Sequence, residues 1–382
     1  MPSCNINLPA AATLVLLFVT PQVAAEPSPP KKAETGLVSD KKIEALLEPI
    51  RQKYKVPGIV AGIVEDDTLV VAGAIGLRKI GSPQAITVND KLHLGSDTKA
   101  MTATVLAELV EQKSLSWDST VGDVFPRLKA GFHADFRPVT LEQLLTHRAG
   151  LPANGDWWSL GKGPVVKQRE TLLKTMLASP PVDAPGTRFL YSNAGYAIAG
   201  HMAEQVTGKS WEQLITNRLF KPLGMSSAGF GAPGAKNKVE EPWGHRLVSG
   251  AEEASQADNA PALGPAGTVH CSLADWSKFV ALHLQGARGK GKILKPAMFE
   301  KLHTPPKGGD YAFGWIVVER PWAKGRALTH SGSNTMWYAT VWIAPARNAA
   351  FLAVANHGDA PGAEACDSTI GALIEYYDKR AK

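Results

Sequence analysis

The chain has 382 residues, of which 44% are apolar and 20% are charged, and its formal net charge is +6. These values exclude a disordered or fibrous chain. The longest basic runs are pairs such as Lys31-Lys32, so we expect no nucleic-acid partner. There is no Cys-x-x-Cys pair and no metal-ligand spacing among the histidines, which excludes a zinc ribbon and a thioredoxin-type site.

The N-terminal residues are typical of an export signal. An apolar run from Leu8 to Val19 is followed by Val23-Ala24-Ala25, and signal peptidase cuts at small residues after such a run. The run is short for a bilayer span. We therefore predict a signal peptide over 1–25 and a periplasmic or secreted protein with no stable membrane span after processing. No Lys or Arg precedes the run, so a membrane-anchoring or flexible N-terminus is the alternative.

The composition changes after the predicted cleavage site. Residues 26–36 are rich in Pro and Lys and predict a linker, and the folded domain is predicted over 37–382. Cleavage would leave two cysteines, Cys271 and Cys366, which could pair in an oxidising compartment. The sequence does not decide whether they lie close enough to do so.

The first folded elements are predicted to be a helix and a β-hairpin. Ser39 or Asp40 is available as the N-cap of the helix. Two β-rich runs, 59–64 and 69–75, flank the turn Glu65-Asp66-Asp67. The apolar residues that recur at helical spacing are Ile43, Leu46, Leu47, Ile50 and Tyr54.

The middle of the chain, from about residue 85 to 265, is predicted to consist of helices and long loops. Residues 101–110 are apolar nearly all round, which is typical of a buried helix. Two short helices are expected to start at capping boxes, and we expect Gly150 to end the first of them. The capping boxes are Thr140 with Gln143 and Ser210 with Gln213.

The C-terminal part mirrors the N-terminal part. Strands are predicted over 337–343 and 351–355, followed by an amphipathic helix over 370–377. We expect an α+β fold in which both chain ends join into one antiparallel sheet covered by both terminal helices. The predicted lobes are an α+β lobe over 37–84 and 266–382 and an inserted helical lobe over 85–265, with the active site between them.

A nucleophile can be sought in Ser-x-x-Lys, which places both side chains on one helical face. The helix N-terminus favours a developing alkoxide, and Lys can accept its proton. Within the predicted folded domain the pattern occurs as Ser39–Lys42, Ser96–Lys99 and Ser159–Lys162. We choose Ser96, because it follows a strand-like segment and Gly95 and then opens the most apolar helix. A plain helix cap with Lys99 on the surface is the alternative.

Two further boxes have residue types suited to the same site. Tyr191-Ser192-Asn193 is the only Tyr-x-Asn of the chain. A Tyr hydroxyl beside a Lys cation can have a lowered pKa and act as a base, and Asn193 offers an amide to the substrate or to the Lys. A Lys/His-x-Gly box on a strand fits His330-Ser331-Gly332, and we prefer it to Lys129-Ala130-Gly131 and Lys307-Gly308-Gly309 because it follows an extended run.

In this order and spacing the three boxes resemble the serine β-lactamase and penicillin-binding-protein superfamily. The branch of class C β-lactamases, D-alanyl-D-alanine carboxypeptidases and esterases is the most similar. The resemblance covers about residues 40 to 378. Three further segments support it: Leu144-Leu145-Thr146-His147, Gly264-Pro265-Ala266-Gly267 and Phe313-Gly314-Trp315.

The resemblance implies a role for each site residue. Ser96 is then the acylated nucleophile, and Lys99 and Tyr191 share its proton, with the identity of the base left open. Asn193 contacts the substrate, while His330, Ser331 and Gly332 line the opposite wall. The backbone N–H groups of Ser96 and Ser333 form the oxyanion hole. No cofactor or metal is implied.

The implied function is an exported serine hydrolase that acts through an acyl-enzyme on D-Ala-D-Ala-type peptides, β-lactams or small esters. The partner is a small-molecule or peptide substrate, and the oligomeric state stays open. The alternatives are a D-aminopeptidase of the same fold and a catalytically silent binding protein. His330 stands where the lactamases have Lys, and this favours the peptidase and esterase branches because a neutral imidazole attracts a carboxylate less than an ammonium does.

Overall fold

The computed structural model describes residues 37–380, so the predicted signal peptide and linker lie outside the described residues. The helices are α1 (Lys41–Tyr54), α2 (Thr98–Glu111), α3 (Val121–Val124), α4 (Leu141–Leu145), α5 (Val165–Ala178), α6 (Asn193–Thr207), α7 (Trp211–Ile215), α8 (Lys221–Leu223), α9 (Gly264–Gly267), α10 (Leu273–Gly286), α11 (Pro296–Leu302) and α12 (Ala360–Arg380). The strands are β1 (Gly58–Glu65), β2 (Thr68–Gly76), β3 (Lys91–His93), β4 (Gly229–Phe230), β5 (Gly244–Val248), β6 (Ala251–Ser255), β7 (Val269–Ser272), β8 (Ile316–Arg320), β9 (Gly325–Ser333), β10 (Tyr338–Ala344) and β11 (Ala349–Ala355). Within the described part of the chain, no helix is both long and apolar enough to cross a membrane.

The two ends of the chain form one six-stranded antiparallel sheet in the order β2-β1-β11-β10-β9-β8. The N-terminal and C-terminal parts of the sheet meet where β1 pairs with β11, and Gly62 lies opposite Leu352 there. Alternate residues of β1 face opposite sides, so Val60 joins the main core, whereas Ile59 joins a second cluster under α1 and α12. The predicted α+β fold, with one sheet covered by both terminal helices, is therefore confirmed.

Helix α2 lies at the centre of the main core. Eleven of its residues are buried, because helices α6, α7, α9 and α11 surround it. Both predicted capping boxes are present at α4 and α7. Helix α4, however, ends at Leu145 and not at Gly150, because Thr146 bonds back to the Glu142 carbonyl and His147 adopts a left-handed conformation with φ 57°.

The segment 85–265 also contributes strands β4, β5 and β6, which the sequence did not predict, whereas β3 matches the strand-like segment expected before Ser96. Strands β3 and β4 pair with β7 in a three-stranded sheet, and β5 with β6 forms a hairpin. These strands have two to five residues each, which is too short for a clear alternation of apolar and polar side chains. The division of the domain into two lobes stays a prediction.

The two cysteines lie in different parts of the core. Cys271 on β7 belongs to the main cluster, and Cys366 in α12 belongs to the cluster under the terminal helices. Both are buried free thiols, so the disulfide that the sequence left open is not formed.

A buried histidine joins three distant segments of this fold. His245 is fully buried, its Nδ1 donates to the Asn356 carbonyl at 2.7 Å, and its Nε2 accepts the Ile80 N–H at 3.1 Å. Both contacts need the neutral imidazole. Burial is the main cause that lowers the pKa of His245 to about 4.

We predict that acidification destabilises the fold through His245. Its folded-state pKa is below the unfolded value, so the stability that it contributes is lost as the pH falls from about 6.5 toward 4. Between pH 7.5 and 5.0 this loss should be about 2 kcal/mol. Urea unfolding should give the free energy of unfolding at both pH values. Its decrease from pH 7.5 to 5.0 should be smaller in His245→Gln than in the wild type by about 2 kcal/mol. The control His133→Gln replaces a half-buried histidine and should show the same decrease in the free energy of unfolding as the wild type. A wild-type decrease in His245→Gln would contradict the role given to His245.

Candidate active site

The site begins at a backbone contact between the start of α2 and strand β9. Ser96 lies in a short 3₁₀ turn, Gly95–Asp97, between β3 and α2. Gly95 has φ +51°, and a Cβ there would lie 2.4 Å from the Ser333 nitrogen. A Cβ on Gly332 would lie 2.1 Å from the Leu94 oxygen. Both positions require glycine, because only glycine lets the two backbones approach so closely.

The Lys99 side chain is completely buried under this turn. Its Nζ lies 3.0 Å from Ser96 Oγ, 2.8 Å from Asn193 Oδ1 and 2.8 Å from the Ala266 carbonyl oxygen. These partners come from the turn before α2, from α6 and from α9, so three segments fix the position of one amine. The structure thus brings the first two boxes together, and the alternative in which Lys99 lies on the surface is wrong.

Burial determines the protonation state of this amine. Desolvation lowers the pKa of Lys99 well below its usual range, although the nearby Asp97 opposes the shift. Desolvation likewise raises the pKa of the buried Asp97 carboxyl, against the influence of Lys99. The site therefore favours the neutral forms of both groups, and a neutral Lys99 can accept a proton from Ser96.

Tyr191 lies over the same amine, but it does not have the electrostatics expected from the sequence. Lys99 Nζ is 4.8 Å from the centre of the Tyr191 ring, so it contacts the face of the ring. Burial raises the pKa of the Tyr191 hydroxyl, and an interaction with Ser96 opposes this only in part. The expectation of a lowered pKa is wrong, because loss of water around the phenolate outweighs the nearby amine.

Asn193 joins Lys99 to the loop before α5. Its Oδ1 accepts from Lys99, and its Nδ2 donates to Asn154 Oδ1 at 2.8 Å. The residue starts α6, where Ser192 is the N-cap and accepts from the Gly195 N–H. The contact with the lysine, one of the two roles considered for its amide, is present, and the contact with a substrate stays a prediction.

His330 lies on β9 with only 4% of its surface exposed. Its Nε2 is 3.1 Å from the Tyr311 hydroxyl, and its Nδ1 is 3.7 Å from Asp97 Oδ1. Burial, with a smaller effect of Lys99, lowers the pKa of His330 to about 3. The imidazole is therefore neutral at ordinary pH, and it stays neutral as the pH falls toward the usual histidine pKa of about 6.5.

The residues after His330 turn their hydroxyls away from Ser96. Ser331 Oγ lies 3.1 Å from Thr340 Oγ1, and Ser333 Oγ donates to the Gly358 carbonyl at 3.1 Å. The contribution of Ser333 to the site is thus its backbone, which adjoins Gly95.

A cleft of about 660 Å³ opens beside these residues. Tyr191, His330 and Ser331 line one end of it, and Arg320, Glu364 and Asp367 lie along it. Its remaining walls are largely aromatic and aliphatic, from Phe189, Tyr311, Ile316, Val318, Tyr338 and Trp342. A volume of this size is typical of small-molecule sites.

The rejected motifs are not part of the site. Ser159 is exposed and donates to the Asp156 carbonyl, while Ser39 accepts from the Ala74 N–H near the start of α1. Lys129 and Lys307 of the alternative third boxes are exposed. The choice among the repeated patterns rested on the flanking strand and on the apolar helix that follows Ser96.

Sequence analysis missed Asp97 and Tyr311. Both carboxylate oxygens of the buried Asp97 lack a hydrogen-bond partner in the described structure, although the residue lies inside the Ser-x-x-Lys motif. Its position between Ser96 and Lys99 was a usable signal. Tyr311 precedes Phe313-Gly314-Trp315, and nothing in the sequence pattern links it to His330.

Among residues 37–380 there is no group of His, Cys, Asp or Glu side chains that could hold a metal ion.

Comparisons with known proteins agree with this geometry. The Beta-lactamase family model matches residues 43–373. Penicillin-binding protein 4 of Amycolatopsis lactamdurans is 27% identical over 326 residues, which are 81% of this chain and 83% of that protein. Unguisins hydrolase ungD of Aspergillus violaceofuscus is 28% identical over 248 residues, which are 59% of this chain and only 42% of that protein.

A solved structure shows the same fold. The octameric penicillin-binding protein homologue from Pyrococcus abyssi matches with a TM-score of 0.73 and 25% identity, over 87% of this chain and 77% of that chain. The family model covers most of the chain and includes every residue of the site described above. The chain therefore belongs to the beta-lactamase family and has the fold of its serine hydrolases.

Proposed function

We propose that the protein is a serine hydrolase that forms an acyl-enzyme on Ser96. The observation that carries this proposal is the contact of 3.0 Å between Ser96 Oγ and the buried amine of Lys99. A serine hydroxyl needs a base within hydrogen-bond reach to become a nucleophile. Because burial lowers the pKa of Lys99 and raises that of Tyr191, Lys99 is the base that the geometry favours.

In the proposed first step, the Ser96 proton moves to Lys99 Nζ as Oγ bonds to the carbonyl carbon of the substrate. The N–H groups of Ser96 and Ser333 stabilise the negative oxygen, and one such donor is worth about 3 kcal/mol. The bond to the leaving nitrogen or oxygen then breaks, and the leaving group takes the proton from Lys99. Water repeats the sequence in the second step, which releases the acid and restores Ser96.

The cleft that Tyr191 and His330 line supports substrates with an apolar group. Tyr338 and Trp342 offer flat apolar surfaces next to the hydroxyl of Ser331. D-Ala-D-Ala-type peptides, β-lactams and small esters are the proposed substrates, and a relative named for penicillin binding makes β-lactams suitable probes. A neutral His330 would donate or accept hydrogen bonds there and would not supply charge.

One observation favours a second candidate, a D-aminopeptidase. Glu364 and Asp367 are exposed on α12 and line the same cleft as Tyr191 and His330. Two carboxylates would attract the free amine of a peptide N-terminus. Hydrolysis of D-alanine p-nitroanilide in preference to its N-acetylated form would distinguish this activity from that of a carboxypeptidase or esterase.

Export to the periplasm or medium is proposed on the N-terminal sequence alone.

The first prediction concerns the nucleophile. Ser96→Ala should take no label from a fluorescent penicillin or a fluorophosphonate, while its unfolding midpoint stays near that of the wild type, because the Ser96 side chain caps no helix. Ser159→Ala is the matched control and should label normally. Labelling of Ser96→Ala, or loss of labelling in Ser159→Ala alone, would refute Ser96. A wild-type protein that takes no label would be a silent binding protein.

The second prediction identifies the base. Lys99→Met fills the same space without a proton acceptor and should slow acylation about 10²- to 10⁴-fold. Tyr191→Phe should lose less and keep the wild-type pH profile, in which the rate rises with pH until Lys99 is deprotonated. The measurement is the acylation rate by stopped flow across pH. A larger loss of acylation rate in Tyr191→Phe than in Lys99→Met would indicate that Tyr191 is the base.

The third prediction concerns His330. Because its pKa is about 3, His330→Gln should change kcat/KM by the same factor at every pH from 5.5 to 8. Nitrocefin, which has a carboxylate, and p-nitrophenyl acetate, which has none, should both show this constant factor. A factor for nitrocefin that grows as the pH falls would show that a protonated His330 binds the carboxylate.

A further inference from the structure

A partly buried carboxylate outside the three boxes contacts residues that flank both sides of the proposed oxyanion hole. Asp258 lies after β6, and the exposed fraction of its side chain is 12%. Its Oδ1 is 2.9 Å from His93 Nε2 and accepts from Asn334 Nδ2 at 2.9 Å. His93 is two residues before Gly95, and Asn334 directly follows Ser333.

The contact with His93 leads to the residue before the nucleophile. His93 is fully buried, and its Nδ1 accepts the Gly95 N–H at 3.0 Å. The proton of the neutral ring is therefore on Nε2, facing Asp258, although this 2.9 Å contact departs from a linear hydrogen bond. The ring also stacks on Trp337 with 5.7 Å between centroids. His93 thus holds the left-handed Gly95, and with it the N–H of Ser96.

The contact with Asn334 fixes the other side. Asn334 is buried, and its Oδ1 accepts the N–H groups of Met336 and Trp337, both at 3.1 Å. Its Nδ2 is left to donate to Asp258. The turn that follows β9 is therefore held by its own backbone and by Asp258, and this turn carries the chain onward from Ser333.

We propose that Asp258 is a positioning residue that sets the separation of the Ser96 and Ser333 N–H groups through His93 and Asn334. The proposal rests on the proposed function, since it gives these N–H groups the role of oxyanion donors. Such donors act only when they lie about 3 Å from the negative oxygen, and a misplacement of about 1 Å can cost about 100-fold in rate.

The ionised form of Asp258 fits this role. Burial by itself would raise the pKa of Asp258, but the contacts with His93 and Asn334 hold it below its usual value. At neutral pH the carboxylate then accepts the hydrogen bond from Asn334 and lies in close contact with His93 Nε2. Asn in its place keeps an acceptor oxygen but loses the charge, whereas Ala loses both contacts.

The test compares Asp258→Ala, Asp258→Asn and a control, Asp275→Ala. Asp275 is a buried carboxylate on α10 that accepts from Ser227 and contacts Lys278, outside the site. With p-nitrophenyl butyrate, Asp258→Ala should lower kcat 10- to 100-fold with KM within about twofold. Its affinity for phenylboronic acid, whose serine adduct places an oxygen in the oxyanion hole, should weaken by a similar factor. Asp258→Asn should keep most of the wild-type kcat and most of the affinity for phenylboronic acid. Asp275→Ala should lower the stability and leave both of these values unchanged.

Amide hydrogen exchange gives a readout that does not need activity. Exchange should rise in segments 93–97 and 331–335 of Asp258→Ala and stay at the wild-type level there in Asp275→Ala. Unchanged exchange in both segments, or a kcat loss no larger than that of the control at equal stability, would overturn the proposal. If wild-type Ser96 forms no adduct, the proposed function fails and the exchange still decides: faster exchange in both segments retains Asp258 as the link between them.

Discussion

The burial of one amine is the constraint on which the rest of the site depends. Lys99 has no access to solvent, and an amine in that position is tolerated only if it is hydrogen-bonded or neutral. The turn before α2, helix α6 and helix α9 each supply one of its partners. The packing of these three segments therefore also positions the proposed base, because moving any of them would leave a buried polar group unpaired.

The same dry interior makes the neighbouring groups neutral. Burial raises the pKa values of Asp97 and Tyr191 and lowers that of His330 to about 3, so no permanent charge is fixed opposite Lys99. In the proposed mechanism one proton moves between Ser96 and Lys99, surrounded by hydrogen-bonding groups of no net charge. Substrate selection would then come from the shape of the cleft and from its exposed charges, such as Glu364.

The second requirement of the site is the close approach of two backbone segments, the turn before α2 and strand β9. Residues outside the catalytic boxes help to hold these segments in place. Gly95 and Gly332 let the α2 turn touch β9 directly, so the two proposed oxyanion donors come from segments far apart in sequence. Side chains cannot mediate a contact that close. The buried residues behind it, His93 and Asp258, hold the same two segments from outside the catalytic boxes. Precision at Ser96 thus depends on residues that never meet the substrate.

The sequence by itself determined the sheet and its terminal helices, the choice of Ser96 and the family resemblance, because alternating strands, capping boxes and short motifs are local patterns. It did not determine protonation: the expected low pKa of Tyr191 was wrong and the low pKa of His330 was not foreseen, since desolvation depends on every segment packed around a group. Nor did it reveal Asp258, whose partners lie at positions 93 and 334. Only the tertiary structure brings such distant residues together, and burial then decides their charge.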